Sequence, residues 1–426
     1  MSLLQPLARA GCGCDAPGPA TRLVSVDEAL ACIAANAAAV GETEEVALPA
    51  ALGRVLARAV RSQATAPPFD NAAMDGYAVA TGALTGEGPW TLAVAGRIPA
   101  GQAAAAPVGG LRAARIFTGA PIPEGADAVV MQEDVRREGE RVTLTRKPSP
   151  GLNIRRAGSD MAAGETVLKA GRRLGPREIA ACAAAGQGRV VVHRCLRVGL
   201  LVTGDEVCQA GTRRDAAQIW DINTPLFSAT LAETGAELVA VASGADRREA
   251  LARQLADIAG RADLVVTTGG ISVGEEDHVK PALADLGAEV LFSGVAVKPG
   301  KPVSFGRLGR AYWLGLPGNP LSAYVTWQLF GTALVRRLAG EHPAATPRRH
   351  VVTADAIRRK PGRCELRPAT LAGFDAEGRE VVTFDDAIHS GRVAPLPRAD
   401  GLILLPAETD VLPAGALVEF QPFSRN

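Results

Sequence analysis

The chain has 426 residues, 47% of them hydrophobic and 21% charged, and a formal net charge of +1 at pH 7. That length divides into roughly three or four domains of about 100–150 residues, and the near-neutral charge offers no field for a polyanion, which argues against a dedicated nucleic-acid binder. No apolar run reaches the ~18 residues needed to span a bilayer and no basic-then-apolar leader opens the chain, so the expected compartment is the cytoplasm.

The first stretch is rich in Gly, Pro and Ala and carries Cys12 and Cys14. A lone Cys-x-Cys lacks the second ligand pair of a structural zinc site, so residues 1–20 read as a flexible tail. The remaining cysteines are scattered, unlike a disulfide framework. Ser25-Val-Asp-Glu28 is a capping box that opens a helix running to Val40, and a second helical segment is expected over Pro49–Val60. From Arg61 to Pro148 short alternating runs (Trp90–Ala95, Arg112–Phe117, Ala128–Met131, Arg141–Thr145) lie between Gly/Pro turns, which predicts a small β-rich domain. Helical character returns at Pro176–Gly186. The β module, residues 61–150, therefore reads as an insertion in a helical domain made of 21–60 and 151–189.

Residues 190–342 alternate strand (Val198–Val202, Glu237–Val241, Leu264–Thr267) and helix (Asn223–Thr234, Arg247–Gly260, Val279–Leu286, Leu321–Ala339). This is the rhythm of a three-layer α/β domain on a parallel sheet. After a linker at His342–Pro347, runs at Val381–Phe384, Gly401–Leu405 and Leu417–Phe420 predict a small closed β domain over 343–426.

Four polar loops follow apolar runs in the α/β region: Val202-Thr-Gly-Asp-Glu206, Thr268-Gly-Gly followed by Ser272-Val-Gly-Glu-Glu-Asp277, Val297-Lys-Pro-Gly-Lys-Pro302 and Leu316-Pro-Gly-Asn-Pro320. The carboxyl edge of an open α/β sheet is where ligands bind. Backbone N–H groups there hold anions, and carboxylates beside them hold a divalent cation. These residues by themselves indicate a metal-assisted enzyme or binder for a phosphorylated ligand.

Together with Pro67-Pro-Phe-Asp-Asn-Ala-Ala-Met-Asp-Gly-Tyr-Ala78, Ile116-Phe-Thr-Gly-Ala-Pro-Ile-Pro-Glu-Gly125, Val129-Val-Met-Gln-Glu133 and Asn153-Ile-Arg-Arg-Ala-Gly-Ser-Asp160, the loops make the chain resemble the molybdopterin molybdenumtransferases, the MoeA proteins and the E domain of gephyrin. The resemblance runs from about Leu23 to the C-terminus. It implies an L-shaped subunit of four domains (helical, inserted β-rich, α/β molybdopterin-binding and C-terminal β-barrel) in an elongated homodimer. It also implies a reaction in which adenylylated molybdopterin, supplied by a molybdopterin adenylyltransferase, and molybdate give molybdenum cofactor and AMP with Mg²⁺ or another divalent cation.

Carried over residue by residue, the resemblance makes Glu206 and Asp277 the metal ligands and adds Asp75, Thr118, Asp160 and Asp246 to the catalytic set. The first three of these added residues face the site of the partner subunit. Lys298 and Lys301 are expected to hold an oxyanion, since a lysine acts as a point charge for phosphate or molybdate. Thr268, Gly269, Gly270, Ser272, Pro317, Gly318, Asn319 and Pro320 are expected to cradle the pterin and its phosphate, with Arg367 and Ser390 contributed by the last domain. Asp205 reads equally as a turn former, and Arg155 and Arg156 as oxyanion contacts or solvated charge. The family pattern is broken where Arg247 follows Asp246, where Gly294 stands in place of a further lysine, and where Pro397 stands in place of a serine. A tungstate-preferring paralogue and a gephyrin-like scaffold with a vestigial site are the competing readings, and the retained carboxylates and lysines argue against the latter.

Overall fold

The computed structural model of the chain describes residues 23–244, 247–271, 277–342, 349–385 and 391–423. They form two compact units: one takes the residues up to Glu44, Gly53–Val55 and everything from His193 onward, the other Glu45–Leu52 and Leu56–Val192.

Helix α1 (Val26–Asn36) begins as its capping box dictates. The Glu28 N–H donates to Ser25 Oγ at 3.0 Å, and the Ser25 N–H donates to the Glu28 carboxylate at 2.8 Å. Its stripe of Val26, Ala29 and Ile33 belongs to the same core as Val198, Leu200 and Val202 of the α/β sheet and as Phe330 and Leu338. The 3–4 spacing of that apolar stripe gives the helix one face to bury, and it packs in this core.

The helix expected over Pro49–Val60 does not form. Leu48–Ala50 make a single 3₁₀ turn, Gly53 takes φ +76°, and Val60–Arg61 pair as a strand with Thr166–Leu168. Ala51, Leu56 and Val60 instead pack with Leu174, Cys182, Val190 and Val192, beside helix α2 (Pro176–Ala184). The inserted β domain is a six-stranded sheet in the order Ala128–Met131, Gly76–Val79, Arg112–Ile116, Trp90–Ile98, Arg141–Leu144, Val135–Glu138. Strand alternation sends Tyr77, Leu92, Ala113 and Leu144 into one core and Ala78, Ile98, Ala114 and Ile116 into another.

In the other unit the sheet order is Glu237–Gly244, Arg197–Thr203, Leu264–Thr268, Ala311–Leu316, Ser304–Leu308, Glu289–Ser293. The first four strands are parallel and Ser304–Leu308 runs antiparallel to both of its neighbours, so the expected parallel sheet is corrected to a mixed one. Only two residues join Ser304–Leu308 to Ala311–Leu316, and so short a link permits only an antiparallel neighbour. Helices α3 (Asn223–Glu233), α6 (Pro320–Thr326) and α7 (Thr332–Leu338) share one face of the sheet with α1, while α4 (Arg248–Arg261) and α5 (Val279–Asp285) cover the other. The single helix expected over Leu321–Ala339 is divided by a π turn at Trp327–Gly331. The last domain is a closed five-stranded barrel: Cys364–Phe374, Glu380–Phe384, Arg349–Thr353, Leu417–Pro422 and Gly401–Leu405, the last pairing back onto the first.

Candidate functional site

Three parallel strands end side by side at Thr203, Thr268 and Leu316, so their following loops emerge along one edge. A cavity of about 870 Å³ opens there, lined by Gly204, Glu206, Asp221, Asn223, Gly269, Gly270, Asp277, Gly318, Asn319 and Pro320 among others. The loops approach backbone to backbone. Gly269 has φ +88°, and a Cβ on it would stand 2.7 Å from Thr203 Oγ1 and 3.8 Å from the Gly318 Cα. A side chain at this position would force the loops apart.

Asn223, at the start of α3, ties two of these loops together. Its Nδ2 donates to the Gly318 carbonyl at 2.8 Å and to Thr268 Oγ1 at 3.2 Å. The residue is only 6% exposed, and its Oδ1 finds no donor among the described residues. A buried acceptor left open at a cavity wall is a recognition point for a ligand N–H. Sequence reading missed Asn223 because an asparagine at a helix start is ordinarily a cap. Trp220, half-exposed on the cavity's outer wall with the Arg214 guanidinium 5.2 Å from its ring centroid, was missed as well.

The structure brings Glu206, Asp277, Gly269, Gly270, Gly318, Asn319 and Pro320 of the expected set to this cavity. Thr268 is fully buried behind it, and Pro317 is buried at the end of its strand. Asp277 also acts on Lys280: burial pushes that ammonium down and the Asp277 charge opposes the shift. Among the described residues no group of three or more His, Cys, Asp or Glu side chains could hold a metal. Two carboxylates on one cavity fit Mg²⁺, which takes one or two protein carboxylates and completes its shell with water and phosphate oxygens. Asp246, Ser272 and Ser390 lie outside the described residues.

Lys298 and Lys301 are exposed and do not line the cavity. The Lys298 ammonium lies 3.6 Å from Glu365, a carboxylate 1% exposed that also accepts from Arg367 Nε at 2.8 Å and Arg359 Nε at 3.3 Å. Burial pushes the Glu365 carboxyl up, but the Arg367 hydrogen bond and the three positive charges outweigh it and hold the group below the usual carboxylate range. Arg367 is itself buried, stacks on Phe384 and lines a separate cavity of about 360 Å³ with Arg392 and Arg398. At Gly294, φ is +91°, a conformation in which the lysine of the family pattern would be strained.

In the unit holding the β-rich domain, Asp75 accepts from both the N–H and the hydroxyl of Thr118, each at 2.8 Å. Those two bonds hold its carboxyl below the usual carboxylate range. Asp160 is exposed, its N–H donating to the Ala66 carbonyl. Arg156 pairs with Asp70, a partner the sequence did not reveal, while Arg155 is exposed.

Family profiles match three consecutive stretches: the MoeA N-terminal region (domain I and II) over residues 24–186, a probable molybdopterin binding domain over 199–337, and the MoeA C-terminal region (domain IV) over 350–423. The molybdopterin molybdenumtransferase of Haemophilus influenzae is 35% identical over 388 residues, covering 90% of this chain and 94% of that protein. The chain belongs to the molybdopterin molybdenumtransferase family. Molybdopterin molybdenumtransferase 2 of Mycobacterium tuberculosis is 34% identical over 384 residues, with 88% and 93% covered. A crystal structure of the molybdopterin biosynthesis MoeA protein from Pyrococcus horikoshii superposes with a TM-score of 0.81 at 27% identity, covering 94% of this chain and 100% of that one. Family membership makes the chain a transferase of molybdenum cofactor biosynthesis and accounts for its multidomain architecture. No helix among the described residues is long and apolar enough to cross a membrane.

Proposed function

We propose that the chain inserts molybdate into adenylylated molybdopterin and releases AMP, with a divalent cation, Mg²⁺ by preference, at the α/β cavity. The observation that carries this reading is the convergence of Glu206, Asp277 and the open acceptor of Asn223 on one cavity at the strand ends. Asn223 Oδ1 accepts an N–H of the pterin, and the backbone N–H groups of Gly270 and Gly318 receive its phosphate, that of Gly269 being held by the Leu316 carbonyl. Glu206 and Asp277 would hold the cation, which when bound neutralises phosphate oxygens as the phosphoanhydride is cleaved. Lys298 and Lys301 attract the incoming oxyanion to the edge of the site, with Lys298 oriented by Glu365.

The working enzyme is proposed to be a cytoplasmic homodimer fed by a molybdopterin adenylyltransferase, in which Asp75, Thr118 and Asp160 of one chain act on substrate held by the other. Asp246 is proposed to join the catalytic carboxylates, and Ser272, Arg367 and Ser390 to complete substrate contacts. Trp220 reports on the binding step: adding adenylylated molybdopterin should quench its fluorescence, and Trp220→Phe should abolish that change. Mixed dimers of Asp75→Ala and Asp277→Ala chains test the sharing. One of their two sites carries both lesions and the other neither, so activity should reappear that neither parent has. Confirmed heterodimers without activity would place all the carboxylates of a site on one chain.

A further inference from the structure

A second concave surface lies on the β-rich domain. A hollow of about 620 Å³ is lined by Val94, Ala95, Gly96, Arg97, Arg115, Phe117, Arg137 and Glu140. Three arginines and one carboxylate thus line it, a net positive surface. The Arg97 and Arg115 guanidiniums lie 4.5 and 4.8 Å from the centroid of the Phe117 ring, and Arg115 also lies over Tyr77. Arg115 is anchored further by donating to the Gly76 carbonyl and to Gln132.

The strand geometry that builds this arrangement is irregular. Val94 pairs with Ala113 but Arg97 pairs with Arg115, so three steps of one strand match two of its neighbour. The bulge re-aims Arg97 and makes two cations cross-strand partners, an arrangement that is destabilising unless negative charge compensates it. Aromatic contact offsets part of the repulsion; both terminal nitrogens of Arg115 are taken by Gly76 and Gln132 and Arg137 Nε by the Gly139 carbonyl, so the edge offered to a bidentate anion is that of Arg97, with the terminal nitrogens of Arg137 beside it.

We infer that this hollow is a binding site for a phosphate-bearing anion, gripped by the guanidiniums of Arg97 and Arg137, with the anchored Arg115 adding its charge. The inference rests on the β-rich domain alone and stands whether or not the α/β cavity takes a pterin. A nucleotide and free phosphate present the same chemistry, and the test separates them.

Inorganic phosphate and AMP are each titrated calorimetrically into the full chain at low ionic strength. With Arg97→Gln or Arg137→Gln the phosphate dissociation constant should rise about tenfold or more, the loss expected for one charge-assisted pair. Arg261→Gln, which removes a surface guanidinium outside both cavities, should leave the phosphate isotherm unchanged. AMP binding lost in the arginine variants and tighter than phosphate in the native chain assigns the hollow to a nucleotide; equal affinities assign it to the phosphate group alone. Native isotherms in both arginine variants overturn the proposal.

Discussion

Replacing Asn223 by Leu should change the stability of the unliganded chain by no more than about 1 kcal/mol, whereas Asn223→Asp should cost about 2–4 kcal/mol. Asn223 is 6% exposed, donates through Nδ2 to Gly318 and Thr268, and leaves Oδ1 without a donor among the described residues. Leucine gives up the Nδ2 hydrogen bonds, about 0.5–1.5 kcal/mol each; water replaces the lost donor at Gly318, which sits in an exposed loop, whereas the fully buried Thr268 Oγ1 is left without its Asn223 donor. It also removes the orphaned acceptor, which returns about 1–3 kcal/mol. Aspartate keeps the orphan, sets a second acceptor against the Gly318 carbonyl and brings a charge into a buried position. Urea denaturation of the full chain, followed by the fluorescence of the buried Trp313 and Trp327, measures the difference. Both variants should lose binding of adenylylated molybdopterin. A leucine variant as unstable as the aspartate one would refute the open-acceptor argument.

Asp277→Asn and Glu206→Gln should fold normally yet slow AMP release by on the order of 10² or more, as loss of metal-mediated charge stabilisation requires, and normal turnover at saturating Mg²⁺ would remove them from the metal site. Thr118→Val should raise the Asp75 pKa only part of the way toward the ordinary carboxylate value, because it removes the hydroxyl hydrogen bond and keeps the larger contribution of the Thr118 backbone N–H; an NMR titration of that carboxyl showing no upward movement would contradict it. Glu365→Ala should cost about 3–5 kcal/mol by stranding the buried Arg359 and Arg367. Because its folded pKa is lowered, the stabilisation from Glu365 is present above the unfolded carboxylate value and is lost as pH falls through the folded one, so the variant should show a weaker acid dependence of stability in denaturation curves.

The elements easiest to read in the sequence were those with local causes. The Ser25–Glu28 capping box is satisfied atom for atom, and the strand-end glycines mark the cavity edge because close backbone approach admits no side chain. What escaped depends on tertiary partners. The segment after Pro49 has helical composition, but Gly53 turns the chain and Leu56 and Val60 find their apolar partners on distant residues. Asn223 has no local signature, since its significance arises only where α3 meets the loops after Thr268 and Leu316. Lys298 read as a free cation because its buried partner Glu365 lies in another domain, beyond the reach of any sequence pattern.

The central claim is tested most directly by loading the purified native chain with adenylylated molybdopterin and Mg²⁺ and then adding molybdate. The expected result is AMP release that depends on molybdate and is slowed by on the order of 10² in Asp277→Asn. AMP release that is absent, or equally fast in that variant, would contradict the claim.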